Sequence, residues 1–232
     1  MRAAIMQPYF FPYIGYFQLI AAVDLFIIYD NIKYTKKGWI NRNRILLNGR
    51  DMPFTLPLKG ASDFLDLRER EVAADFDRDK LVNQLRGAYA KAPQFKRMFP
   101  VLEEILRHPE ANLFEFLRNS IIRMCDIIGI TTRIVVSSTI AIDHELKSQD
   151  KVLALCQAVN AQAYVNAIGG MELYSKEEFR ARGIELSFIR SKPFVYPQFG
   201  ADFVPWLSII DVLMFNSPES IRECIRSNFE LI

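Results

Sequence analysis

The order of apolar and polar positions opens on a strand, a helix and a second strand. A short apolar run over residues 3–6 ends at Gln7-Pro8. Dense apolar positions over 14–23 suit a core helix, and residues 23–29 make another apolar run closed by Asp30. A right-handed crossover sets such strands parallel and brings the loops after Met6 and Tyr29 to one edge, where open α/β sheets bind ligands. A hairpin is predicted over 45–58 around Asn48-Gly49, with Pro53 and Pro57 limiting its second arm to an edge. Charges of both signs alternate over 63–80, which marks a solvated stretch. Helices are predicted over 81–89, 100–106 and 113–128. The last places Leu113, Phe116, Leu117, Ile121, Met124 and Ile128 on one face, and Gly129 ends it. Then come a strand over 134–136 into Ser137-Ser138, a helix over 150–161, and a strand over 163–166 into Gly169-Gly170. A helix over 176–182, a strand over 184–189, a docking helix over 206–215 and a last helix over 217–226 complete the chain. The expected fold is α/β: one domain over 1–232, with a Rossmann-like parallel sheet flanked by helices and a helical insertion at about 77–129.

Composition narrows the function classes. Of the 232 residues 50% are apolar, an ordinary globular value, and the net charge of +2 gives no general attraction to nucleic acid, so no nucleic-acid partner is expected. Cys125, Cys156 and Cys224 are widely spaced with no CxxC pair, which indicates neither a disulfide framework nor a zinc cage. The apolar N-terminal stretch is broken by Pro8, Pro12, Gly15, Gln18 and Asp24 and never reaches the roughly 18 residues a transmembrane helix needs. A cytoplasmic protein without a transmembrane segment is expected.

Three segments carry candidate chemistry. In the first, Gln7, Tyr9, Tyr13 and Tyr16 can wall a ring or sugar at a strand end, while Phe10, Phe11 and Phe17 read as core. The second, residues 30–44, sets Lys33, Lys36, Lys37, Arg42 and Arg44 beside Trp39 and the amides of Asn31, Asn41 and Asn43. Guanidinium forks suit phosphate oxygens, and amides can complete a cage. Asp30 closes the second strand and is expected to project into the crevice, either orienting or deprotonating an amine or anchoring Arg42 or Arg44. In the third, Asn166, Gly169, Gly170 and Tyr174 place two glycines between a strand and a helix, where backbone amides can approach an anion; a plain turn fits equally well. Tyr196-Pro197-Gln198-Phe199 adds a possible wall. Asp211 is a candidate base, with capping or pairing to an arginine the favoured role. Two histidines, His108 and His144, are too few for a histidine-rich metal site, so no metal is expected, and there is no GxSxG elbow or activated cysteine.

These residues resemble the WbqC-like family nearly end to end. The resemblance rests on residues 6–20 (MQPYFFPYIGYFQLI), Tyr29-Asp30, Gly38-Trp39-Ile40-Asn41-Arg42-Asn43-Arg44, Ile168-Gly169-Gly170 with Tyr174, and residues 207–216 (LSIIDVLMFN). Where members commonly carry Asp-Asp and a Gln, this chain has Asp30-Asn31 and Lys33. The resemblance implies a bacterial protein of O-antigen or related surface-polysaccharide (lipopolysaccharide) clusters, in a family proposed to transfer glycine to amino sugars. A nucleotide-linked amino sugar and glycine or an activated acyl donor are the implied partners. The opening is also similar to the adenylating and nucleotidyl-transferring α/β superfamily, although Tyr13 and Tyr16 stand where its HxGH motif has histidines. An acyl-adenylate attacked by an amine gives an amide. Three readings follow: an amide-forming glycine transferase, a sugar-nucleotide or glycan binding module without turnover, and an adenylating ligase using ATP as cofactor.

Overall fold

The computed structural model describes residues 1–60, 62, 64–200 and 202–232. Its centre is a six-stranded sheet with the order β5-β2-β1-β6-β7-β8. The strands are β1 (Arg2–Met6), β2 (Leu25–Ile28), β5 (Arg133–Val136), β6 (Ala163–Ala167), β7 (Glu185–Ser191) and β8 (Phe229–Leu231). Five are parallel, as expected. The edge strand β8, for which no strand was predicted, runs antiparallel to β7, pairing Ile189 with Leu231 and Ser191 with Phe229. Three residues give too short an alternation to read as a strand; the pairing comes from β7.

Each parallel strand is apolar on both sides because helices cover both faces of the sheet. Ala4, Phe26, Ile28, Val165 and Ile189 face one core with α1 (Ile14–Ala21), α2 (Arg78–Tyr89), α3 (Phe95–Arg107), α4 (Leu113–Ile128), α7 (Ile209–Phe215) and α8 (Pro218–Ser227). Ala3, Ile5, Leu25, Ile27, Tyr164 and Phe188 face the other, under α5 (Ser148–Ala158) and α6 (Lys176–Ala181). The predicted face of α4 is buried throughout, and Gly129 ends the helix in the left-handed conformation (φ 84°) that glycine adopts without a Cβ penalty. Helix α3 begins earlier than expected, at Phe95. Pro100 therefore lies inside the helix rather than starting it.

Two departures bear on the site. The hairpin starts earlier than predicted: β3 (Arg42–Leu47) pairs with β4 (Arg50–Thr55) around Asn48 and Gly49, both at positive φ. Arg42, Asn43 and Arg44 therefore lie on a strand and not in a loop. The stretch expected to be wholly solvated begins on Asp63, which lies outside the described residues, but Leu67, Arg70 and Val72 within it are buried. A 3-10 turn (Leu67–Glu69) packs there, with the Leu67 and Arg68 amides donating to the Ile32 and Asp30 carbonyls.

Asp211 is fully buried, and among the described residues no arginine pairs with it. It accepts from Tyr89 Oη (2.8 Å), Tyr196 Oη (2.7 Å) and Gln198 Nε2 (2.6 Å), while the Leu46 amide donates to Tyr89 Oη. The carboxylate thus joins α7, α2, β3 and the segment before α7, a structural role and not that of a base open to ligand. Among the described residues, no helix is long and apolar enough to cross a membrane.

Candidate functional site

Strand register gathers the site. Met6 pairs with Ile28, and Ile28 with Val136, so the residues that follow β1, β2 and β5 emerge side by side at the carboxyl edge. Asp30 leaves β2 there but turns inward. It is 3% exposed; its Oδ1 accepts from Ser137 Oγ (2.8 Å) and the Ser138 amide (3.0 Å), and its Oδ2 accepts from Ser138 Oγ (2.6 Å). Neither Arg42 nor Arg44 is its partner. The carboxylate expected to project into the crevice instead clamps the turn after β5, because two serine hydroxyls and an amide there need an acceptor.

Asn31 continues the clamp. Its Oδ1 lies 2.7 Å from Ser137 Oγ, and its Nδ2 donates to His144 Nδ1 at 2.9 Å. An amide NH2 only donates, so Nδ1 is the acceptor and Nε2 carries the proton, directed at the Ile140 carbonyl (3.0 Å). The ring is held at both ends. Lys151, in the first turns of α5, donates to the Asn31 carbonyl (3.1 Å), and its Nζ lies 5.9 Å from the centre of the Tyr29 ring. Burial pulls the Lys151 ammonium below the usual lysine range, against the opposing pull of the Asp66, Asp30 and Glu145 carboxylates. Burial raises the Tyr29 and Tyr174 phenols, which stay protonated. Together these groups line a cavity of about 450 Å³ that also receives Lys33, Arg68, Lys147, Asp66 and Glu145.

The hairpin builds a different place. Because side chains alternate on a strand, the amides and guanidiniums of residues 41–44 part company. Asn41 Nδ2 donates to the Leu56 carbonyl, and Asn43 Nδ2 donates to the Phe10 and Phe11 carbonyls, so both amides serve the interior. The expected cage of mixed Arg and Asn is not formed. Arg42 Nε donates to the Gly38 carbonyl, whereas Arg44 pairs with Asp51 (3.0 Å), donates to the Trp206 carbonyl and lies 5.6 Å from the Trp39 ring centre. Tyr9, Pro12, Tyr13, Trp39, Asn43, Arg44 and Trp206 enclose a second cavity of about 190 Å³. The Phe10 amide donates to the Trp39 carbonyl (2.9 Å), which fastens the first aromatic loop to the second. Gln7 acts within this wall by donating to Tyr9 Oη (2.9 Å). Tyr16 departs from expectation: it is 3% exposed and donates to the Gln7 carbonyl, so it supports the loop from inside the core. Lys36 and Lys37 are exposed on the loop before β3 and line neither cavity.

The glycine pair is likewise reassigned. Gly169 and Gly170 lie within a 3-10 turn (Ile168–Leu173), and α6 begins only beyond the Ser175 cap, so the glycines do not open the N-terminus of α6. Asn166 is buried and accepts from the Ala167 amide, and a Cβ on Gly170 would overlap the Asn166 side-chain amide. Gly170→Ala is expected to destabilise the protein by about 1–3 kcal/mol through overpacking. Gly169→Ala, whose Cβ would meet nothing within 4 Å, should stay within about 0.5 kcal/mol. Urea unfolding of the pair checks this, and equal losses would remove the packing role of Gly170. Of the third segment, Tyr174 alone lines the larger cavity.

Sequence reading did not single out Tyr29, Arg68, His144 or Lys151 as site residues. They come from three separate stretches with no common spacing; their signal is position at the carboxyl edge, which depends on strand order. The three cysteines are buried, and burial pushes the Cys125 and Cys156 thiols up to about 12, away from nucleophilic use.

Fold and site define an α/β protein with a doubly wound, mostly parallel sheet and two cavities built by its loops, one basic and one aromatic. The chain belongs to the WbqC-like protein family, whose model matches residues 7–223. It is 31% identical over 232 residues to the uncharacterized protein Rv1507c of Mycobacterium tuberculosis, covering 96% of this chain and 98% of that one. No solved structure matches it.

Proposed function

We propose that the protein is a transferase that forms an amide between glycine, or a similar activated acyl group, and the amine of a nucleotide-linked sugar in surface-polysaccharide biosynthesis. The observation that carries this reading is the aromatic cavity. Tyr9, Tyr13, Trp39 and Trp206 offer ring faces suited to the apolar face of a sugar, and Arg44 supplies a charged donor among them. Membership in the WbqC-like family supports the same substrate class. Trp39 is 41% exposed, so it can meet a ligand without rearrangement.

Incubation with nucleotide-linked amino sugars and activated glycine, followed by mass spectrometry, should reveal a glycylated sugar. Arg44→Ala is expected to weaken sugar-nucleotide binding about tenfold or more, since a hydrogen bond from a charged donor to the sugar contributes roughly 1.5–3 kcal/mol, and Trp39→Ala should weaken it several-fold by removing the ring face against the sugar. Melting temperature should fall little, because the Arg44–Asp51 pair is surface-exposed. Unchanged affinity with a lowered melting temperature would assign both residues to structure.

A second reading, a binding module without turnover, draws on Asp30: both oxygens of the carboxylate first considered as base are occupied within the protein. Binding without product would select it. A third reading, an adenylating ligase, would be established by acyl-dependent ATP consumption.

A further inference from the structure

We propose that the larger cavity, walled by Tyr29, Lys33, Arg68, His144 and Lys151, binds the diphosphate of a nucleotide-type ligand, with Lys151 Nζ meeting its oxygens. The inference deepens the proposed transferase function and rests on it for one point, that the diphosphate belongs to the substrate of the transfer. Phosphate recognition at the hairpin arginines is displaced by it: Arg42 serves the Gly38 carbonyl, and Arg44 already holds Asp51.

Charge is the first argument. Lys33, Arg68, Lys147 and Lys151 face the cavity against two carboxylates, and one of those, Asp66, already lies 3.7 Å from Arg68. The excess is positive in a protein whose net charge is only +2. The cations are spread over three separate stretches of chain. A single carboxylate would satisfy one of them, whereas a diphosphate presents several oxygens at different directions.

Burial is the second. Lys151 is 8% exposed, and its Nζ makes one hydrogen bond, to the Asn31 carbonyl, with no carboxylate in contact among the described residues. An ammonium has three N–H donors, so two remain for a ligand. Holding a largely buried ammonium at the cavity wall without a counter-ion in contact is unfavourable, and an anion entering the cavity supplies what the fold omits. The depressed affinity of Lys151 for its proton agrees with that unsatisfied burial.

Shape is the third. About 450 Å³ falls within the range of small-molecule sites, and Tyr29 and Tyr174 give the cavity aromatic walls beside its cations. The Asp30 clamp holds Asn31, and Asn31 in turn positions both His144 and Lys151. The donors are therefore set before a ligand arrives.

Titration calorimetry with inorganic pyrophosphate and with uridine diphosphate tests the proposal on the full chain. Wild type should bind both, more weakly as salt rises. Tighter binding of uridine diphosphate identifies a nucleotide site, and equal binding identifies a site for the diphosphate group alone. Lys151→Met should weaken pyrophosphate at least tenfold, and Arg68→Met several-fold, with melting curves confirming that the variants fold. If Lys151→Met does not fold, Lys33→Met and Arg68→Met, both at exposed positions, carry the test. Wild type that ignores millimolar pyrophosphate, or folded variants that bind it as wild type does, overturns the inference. Normal pyrophosphate binding with no amide product would leave this site standing and remove the transferase reading instead.

Discussion

Asp211→Ala should lower stability by about 3–4 kcal/mol, because two tyrosine hydroxyls and the Gln198 amide lose their buried acceptor together. For a chain of this length that corresponds to a fall in melting temperature of about 6–16 °C. The loss should spread beyond α7, since Tyr89 also receives the Leu46 amide and would release the hairpin from α2. Urea unfolding measures it, and a loss under about 1 kcal/mol would show that the network relaxes around the gap. Asp211→Asn isolates the charge. Burial raises the carboxyl above its ordinary 3.8 despite three hydrogen bonds that lower it, so the native state holds the proton more tightly than the unfolded chain. Its contribution is full below 3.8 and is lost as pH rises through the folded value. Wild type should therefore lose stability relative to Asp211→Asn as pH rises from acid toward neutral. Wild type that instead gains stability relative to Asp211→Asn as pH rises would reverse the assignment.

Asp30→Ala should destabilise by about 2–3 kcal/mol, since Ser137 and Ser138 lose their common acceptor. Asp30→Asn should lose less than about 1.5 kcal/mol, because the Ser138 hydroxyl can turn to accept from the new amide. The same pair separates clamp from base. If Asp30 only holds the turn after β5, Asp30→Asn keeps most turnover. If it removes a proton from the attacking amine, turnover should fall on the order of 100-fold or more while the protein stays folded. Thermal melts beside product measured by mass spectrometry distinguish the two.

The fold was readable where burial acts through apolar side chains. Helix α4 shows its buried face by spacing and its end by Gly129, and β2 is an apolar run because helices cover both its faces. The early start of β3 was hidden because its inward positions are held by Asn43 and its hydrogen bonds to Phe10 and Phe11, so a strand period written in amides does not register as hydrophobic alternation. The two aromatic loops were legible as neighbours, since both leave parallel strands of one crossover. The division of residues 41–44 into supporting amides and outward arginines was not, because it depends on strand rather than loop geometry. The basic cavity was the least legible. Lys151 reads as an ordinary helix lysine until the order of β5 and β2 brings α5 beside Asn31.

That strand order also sets a schedule for the nascent chain. The central strand β1 pairs with β2 soon after it is made, but its other neighbour, β6, begins only at Ala163. At roughly 5–20 residues per second, β1 waits about 10–30 s for that partner, with one row of backbone donors and acceptors open beside apolar faces. The early chain therefore passes through a stage at which a central strand of the finished sheet is an edge, and a chaperone that shields this edge would act before either cavity is complete.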